Sequence, residues 1–135
     1  MFQIDRMGRK PIYEQIIEQT EMMIVSGVLK PGDQLPSVRA LSQMLSANPN
    51  TLQKAYADLE RDGITFSAPG NGRFIGNNAK ALIQERMLAL LADVEHLSAK
   101  MHAAGIDKAK VIAAVDQGYM HPMPHTAQTK KGQTL

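Results

Sequence analysis

Four polar side chains at positions 50–54 have the chemistry to bind a nucleic acid. Asn50, Thr51 and Gln53 carry groups that donate and accept hydrogen bonds, and Lys54 adds a positive charge. Amide and hydroxyl groups read base edges, whereas a lysine ammonium attracts phosphate. The pattern therefore favours DNA binding if these residues share the exposed side of one helix.

The residue types that enzymes use show no catalytic arrangement. The 135 residues include no cysteine, which excludes a disulfide framework, a thiol nucleophile and a cysteine-ligated metal. The four histidines belong to no Ser-His-Asp order, and no phosphate loop or carboxylate cluster occurs. We therefore expect no catalytic residues, no cofactor and no metal site. One alternative stays open: Met120, His121, Met123 and His125 have side chains that can bind a soft metal ion.

Composition and charge place the chain among ordinary globular proteins. Hydrophobic residues make up 44% and charged residues 21%, and no apolar run approaches the roughly 18 residues of a membrane span. The N-terminus lacks the apolar run of a signal peptide, so we expect a cytoplasmic protein without a membrane partner. The net charge of +2 is too small to indicate DNA binding by itself, so the positions of the charges must decide.

Capping and turn residues predict three helices in the first half of the chain. Pro11 suits the first position of the first helix, which Gly27 ends. Ser37 is a good N-cap for a short second helix, and Asn48 caps a third helix that Gly63 ends. A short helix, a tight turn and a third helix follow the order of a helix-turn-helix.

The residues after the third helix change from helical to strand periodicity. Ile64–Ala68 alternates, Pro69–Gly72 is rich in turn formers, and Arg73–Ile75 is a second short apolar run. Three helices followed by a β-hairpin form a winged helix-turn-helix, whose third helix enters the major groove of DNA. A winged helix can instead serve as a protein-interaction module, and the sequence pattern leaves this alternative open.

The same region carries an ordered set of motifs. They are Pro11–Ile16, Gly27–Arg39, Asn48–Tyr56, Leu59–Gly63 and Gly70–Ile75. In this order they resemble the GntR family of bacterial transcription regulators, most closely its short YtrA-like branch. The resemblance implies a homodimeric regulator, usually a repressor, that binds a double-stranded DNA operator.

The resemblance also implies which residues contact DNA. In this family the contacts come from the arginine after a Leu-Pro-Ser motif, the start of the third helix and the glycine-rich wing. Carried over to this sequence, the DNA-binding residues are Ser37, Arg39, Asn50, Thr51, Gln53, Lys54, Gly70, Asn71, Gly72 and Arg73. The wing departs from the family pattern, because Ala68-Pro69 stands where a basic residue is common and Gly72-Arg73-Phe74 replaces a common Gly-Thr-Phe.

Apolar residues after Asn77 recur at alternating steps of four and three, which predicts a seam along one long helix. Gly105 closes this helix, and Asp107 can cap a last helix that ends near Gly118. Forty-odd residues cannot enclose a typical ligand pocket of roughly 300–1,000 Å³. We therefore expect the C-terminal part to form a two-helix dimerisation hairpin, as the resemblance to the short branch implies.

The apolar stripe is either internal packing or a dimer seam, and its width allows both. The residues predicted in the dimer interface are Ile83, Met87, Leu90, Leu91, Val94, Leu97, Met101, Ile112 and Val115. A large apolar stripe left exposed would be unusual for a soluble monomer, which favours the dimer.

The expected fold class is mainly α (α+β). It comprises a winged helix-turn-helix domain over 1–76, a helical dimerisation region over 77–118 and a flexible tail over 119–135, where polar residues dominate. A small-molecule effector is compatible with this organisation, but the sequence identifies neither an effector nor the operator.

Overall fold

A computed structural model describes residues 1–121, which form six helices and one two-stranded sheet. The helices are α1 Ile12–Val25, α2 Val38–Leu45, α3 Pro49–Arg61, α4 Ala79–Ala89, α5 Leu91–Ala103 and α6 Lys108–Met120; the strands are β1 Thr65–Ala68 and β2 Gly72–Ile75. The chain divides into two compact units, Met1–Gln84 and a second that begins at Glu85. No helix within the described residues is long and apolar enough to cross a membrane. The predicted mainly α fold with a small hairpin is confirmed.

Side-chain caps begin the two helices of the helix-turn-helix, as the sequence predicts. Ser37 Oγ accepts a hydrogen bond from the Ala40 N–H at 3.0 Å at the start of α2. Asn48 Oδ1 accepts one from the Asn50 N–H at 2.8 Å at the start of α3. These bonds satisfy N–H groups that have no partner within a helix, so nearby residues determine where both helices begin.

The core of the first unit lies where α3 packs against α1 and α2. The inner face of α3 is buried, as its periodicity predicts; its members are Leu52, Ala55, Tyr56 and Leu59. Ile16 of α1 and Leu41 of α2 join the same core. Burying an aliphatic side chain of this size contributes roughly 1.5–3 kcal/mol to stability. Because the core holds the inner face of α3, the polar face of this helix is left at the surface.

The β-hairpin forms the wing and is joined to the segment that precedes α2. Its two strands pair antiparallel, with Phe66 opposite Phe74 and their rings stacked at a centroid distance of 5.7 Å. The segment 33–35 continues this pairing, since the Leu35 N–H donates to the Arg73 carbonyl at 2.9 Å. The wing is therefore held from one side by the chain that leads into the helix-turn-helix.

Two glutamines on α1 hold the N-terminal arm. The Gln19 amide pairs with both backbone groups of Gln3, at 2.9 and 2.6 Å. One helical turn earlier, the Gln15 amide pairs with both backbone groups of Asp5, at 2.8 and 2.9 Å. These bonds resemble those of a neighbouring strand, and they keep the Phe2 side chain in the core.

The long helix predicted after Asn77 is interrupted at Leu90, so this prediction is wrong. α4 ends at Ala89 and α5 begins at Leu91. No proline or glycine marks the break; instead the Leu90 N–H bonds to the Met87 carbonyl, three residues back, at 3.0 Å. Such a bond tightens the backbone to a 3₁₀ turn. The predicted seam therefore runs over two helices rather than one.

Ile83 does not belong to an exposed seam, although the sequence predicts it in the dimer interface. Its side chain is fully buried in the core of the first unit. A side chain without exposed surface cannot contact a second copy, so we remove Ile83 from the predicted interface. Its place in the four-three repeat reflects packing within the winged unit.

The last helix ends at Met120, two residues beyond Gly118 and therefore close to the predicted end. Most of the predicted flexible tail, including Met123 and His125 of the metal alternative, lies outside the described residues. Within residues 1–121, no three histidine, aspartate or glutamate side chains lie close enough to hold a metal ion.

Candidate nucleic-acid interface

The start of α3 presents its polar side chains to solvent. Asn50, Gln53 and Lys54 are exposed, and Thr51 is half-buried. All four occupy the first two turns of a helix whose opposite face is in the core. These side chains therefore lie off the buried face of α3, as the sequence pattern predicts.

The loop before α2, the middle of α3 and the wing meet around a cleft of about 320 Å³. Four of the predicted DNA-binding residues line it: Ser37, Gly70, Gly72 and Arg73. The fold thus brings the start of the second helix and the wing, which are distant in sequence, to one surface.

Tyr56 connects the two sides of this cleft. Its hydroxyl donates a hydrogen bond to the Pro36 carbonyl at 2.8 Å, which ties α3 to the loop that enters α2. The Arg73 guanidinium of the wing lies 5.2 Å from the centroid of the Tyr56 ring, a cation–π distance. Burial raises the pKa of Tyr56 to about 12, and the nearby Arg73 charge acts in the opposite direction.

Tyr56→Phe should lower the free energy of unfolding by about 1 kcal/mol near neutral pH, because the Pro36 carbonyl loses its donor. The pKa of Tyr56 is about 12 in the folded chain and 10.0 in the unfolded chain. Below pH 10 both states keep the proton and the stabilising contribution of Tyr56 is complete. This contribution is lost as the pH rises from 10 towards 12, because the unfolded chain releases its proton first. The advantage of wild type over the variant should therefore shrink in that range. Urea unfolding of both proteins at pH 8 and 11 checks this, and an unchanged difference would contradict it.

Three basic side chains around this surface make no ion pair with any described residue. Arg39 on the first turn of α2 and Lys54 on α3 are exposed, and Arg73 on the wing is half-buried. Lys54 Nζ instead lies 3.8 Å from the centroid of the Tyr13 ring, at the start of α1. Cations without a carboxylate partner give a surface a positive potential that attracts phosphate.

Two glycines lie at the wing tip. Pro69 and Gly70 are the central residues of a tight turn, in which the Asn71 N–H donates to the Ala68 carbonyl at 2.9 Å. Gly70 and Gly72 have φ values of +78° and +112°, in the region that favours glycine. A Cβ at position 70 would meet no atom of residues 1–121 within 4 Å, so these residues leave space around the tip for a close ligand.

Two residues that contribute to this surface could not be predicted from the sequence. Tyr13 lies under Lys54, and the Gln34 side chain donates a hydrogen bond to the carbonyl of Asn71 at the wing tip. Neither residue has a local signal, because each acts on a partner far along the chain. Only the position of Gln34 just before the Leu35-Pro36-Ser37 motif points to the region.

Comparisons with known proteins identify relatives of this chain. The family model described as "Bacterial regulatory proteins, gntR family" matches residues 12–75. The "HTH-type transcriptional repressor YtrA" of Bacillus subtilis is 44% identical over 112 residues, which cover 82% of this chain and 86% of that protein. The regulator YhcF of the same organism is 36% identical over 107 residues, covering 78% of this chain and 88% of that one.

Solved structures show the same architecture. A GntR family transcriptional regulator from Listeria monocytogenes superposes with a TM-score of 0.66 at 34% identity, covering 85% of this chain and 99% of that one. The winged helix, the family match and the relatives of similar length together exclude an enzyme and indicate a DNA-binding transcription regulator. The chain belongs to the GntR family of bacterial regulatory proteins.

Proposed function

We propose that this protein is a repressor that binds a two-fold-symmetric operator as a homodimer and so acts on chromosomal DNA in the cytoplasm. The observation that carries the proposal is the exposed polar start of α3, which includes Lys54 and has Arg39 of α2 nearby; neither cation has an ion-pair partner within residues 1–121. A B. subtilis relative that matches most of this chain is itself named a transcriptional repressor.

In this proposal α3 enters the major groove and its neighbours hold it there. Asn50, Thr51 and Gln53 face base edges, since amide and hydroxyl side chains pair with both donors and acceptors. Arg39, beside the Ser37 cap at the start of α2, contacts the operator from one flank of α3. The wing tip approaches the adjacent DNA backbone, and the absence of side chains at Gly70 and Gly72 allows a close approach there.

The second unit supplies the dimer. None of its described residues is buried, and large apolar side chains along α5 and α6 are about half exposed, among them Leu91 at 60%, Leu97 at 51% and Ile112 at 48%. Soluble monomers avoid exposing a stripe of this extent. We place Leu90, Val94 and Leu97 at the centre of a symmetric interface. Met87, Leu91, Met101, Ile112 and Val115 complete it.

A dimer also provides the sequence specificity that a single winged module lacks. A single winged module buries only roughly 600–1,000 Å² on DNA, which gives limited specificity. A two-fold dimer reads two half-sites about one helical turn apart, or a multiple of that spacing. The proposal thus predicts an operator with an inverted repeat.

Selection from a library of random duplexes, with the full chain as bait, tests the proposed function. We expect enrichment of one motif with inverted-repeat symmetry, bound with a steep salt dependence because phosphate neutralisation releases counterions. Enrichment of an unsymmetric single site would contradict the two-fold dimer on DNA. No enrichment would favour the protein-interaction module instead.

Lys54→Ala should weaken binding to all duplexes to a similar extent. The ammonium has no carboxylate partner within the described residues and is placed to reach a phosphate. The salt dependence should therefore become weaker: the magnitude of the slope of log affinity against log salt should decrease by about 1 for each protomer. Titrations of the selected duplex and a scrambled duplex at several salt concentrations measure this. An unchanged slope with an altered sequence preference would make Lys54 a base reader.

A further inference from the structure

We propose that Gln34 is a positioning residue that fixes the wing tip for operator binding. The inference rests on the proposed function, because the tip acts on DNA. It concerns a side chain that lies outside the wing strands and to which we assign no contact with DNA. Its partner is a backbone carbonyl at the tip of the hairpin.

Gln34 contacts the wing at two points, one along the second strand and one at the tip. Its backbone forms a bridge opposite Phe74, so residue 34 lies beside the second strand of the wing. From there the side chain runs along the hairpin, and Nε2 donates to the Asn71 carbonyl at 2.8 Å. This is a good amide–carbonyl hydrogen-bond distance.

The space for this bond depends on Gly72. A Cβ at position 72 would overlap Gln34 Nε2, so the Gln34 amide would have to move from its present position. Gly72 also has a φ of +112°, which L residues with side chains rarely adopt. The glycine thus serves two purposes: it shapes the turn and leaves the path of the Gln34 amide open.

The tip needs an external contact because little else holds it. The strands pair over only four residues each, and a short two-stranded hairpin is marginally stable alone. The tip contains two glycines, whose backbone freedom is large. A bond from outside the hairpin to the peptide between them restricts both. Because Gln34 lies in the segment that enters α2, the same bond sets the tip relative to the helix-turn-helix.

The test compares wild type with Gln34→Met, which keeps the length of the side chain but removes the donor. In the free protein, amide hydrogen exchange at Asn71–Arg73 should speed up. Affinity for the duplex enriched with wild type should fall about fivefold per wing, or about 25-fold for a dimer, as expected for the loss of one modest hydrogen bond in each copy. The melting temperature should stay within a few degrees, since the core is untouched. Gln84→Met, an exposed glutamine on α4, is the matched control and should change none of these.

Double-mutant cycles separate positioning from direct contact. If Gln34 acts through the tip, Gln34→Met should reduce DNA affinity less in an Asn71→Ala background than in wild type. The reason is that the tip without the Asn71 side chain already contributes less to DNA binding. Lys54 lies on α3 and not on the wing. The affinity losses of Gln34→Met and Lys54→Ala should therefore add fully in the double variant.

Three results would overturn the proposal. Unchanged exchange at the tip would show that Gln34 does not hold it. Unchanged affinity together with faster exchange would show that the conformational order of the tip does not contribute to DNA affinity. Full additivity with Asn71→Ala would make Gln34 a direct contact. If wild type enriches no duplex at all, the proposed function fails and the operator role of Gln34 fails with it, whatever the exchange rates show.

Discussion

Val94→Asp should convert the protein into a monomer whose winged unit remains folded. Val94 is 48% exposed on α5, at the centre of the proposed interface. In a symmetric dimer the substitution places one carboxylate in each half, close to its symmetry mate. The two charges would lose hydration and repel each other, which strongly destabilises an interface. The core of the first unit contains no residue of α5, so its folding should be unaffected.

Operator binding should fall with the dimer. Two linked modules gain roughly 10²–10⁴ in affinity over one, so we expect a loss of at least about 100-fold and no complex at nanomolar protein. Light scattering at micromolar concentration, with a titration of the selected duplex, measures both effects. Ala92→Asp is the control, because residue 92 lies about 200° around the helix axis from residue 94. A Val94→Asp protein that remains dimeric would show that the interface lies elsewhere.

Arg39→Ala should leave folding intact and weaken operator binding severely. The side chain is exposed on the first turn of α2 and has no ion-pair partner among the described residues, so its removal should change stability by less than about 0.5 kcal/mol. A specific arginine contact to DNA contributes about 1–3 kcal/mol, and a dimer loses two of them. We therefore expect an affinity loss of about 30-fold or more.

Thermal melting and duplex titration of Arg39→Ala decide between contact and structure. Lys80→Ala on α4 removes one positive charge from an exposed position outside the proposed interface, so it measures the loss caused by charge alone. A loss of affinity no larger than that of Lys80→Ala would remove Arg39 from the interface. A lowered melting temperature would give it a structural role instead.

The local features of the winged unit could be predicted from the sequence. Ser37 and Asn48 cap the helices that the pattern assigns to them, and Gly63 has the positive φ expected after α3. Each depends on bonds within about four residues, so the sequence contains the complete interaction. The buried face of α3 follows for a similar reason, because a 3.6-residue period is a property of one segment. The DNA-contact roles rest on the family resemblance and remain predictions.

Tertiary structure alone decided the rest. A four-three repeat cannot distinguish Ile83, which is buried in the first unit, from Val94, which is exposed, because both satisfy the same period. It also does not reveal the tightened turn at Leu90. The contacts of Tyr56 with Pro36 and of Gln34 with Asn71 join residues that are distant in sequence, so no local pattern announces them. The sequence determines which faces are apolar and where helices begin; packing determines which partner each face meets, since that depends on every other element at once.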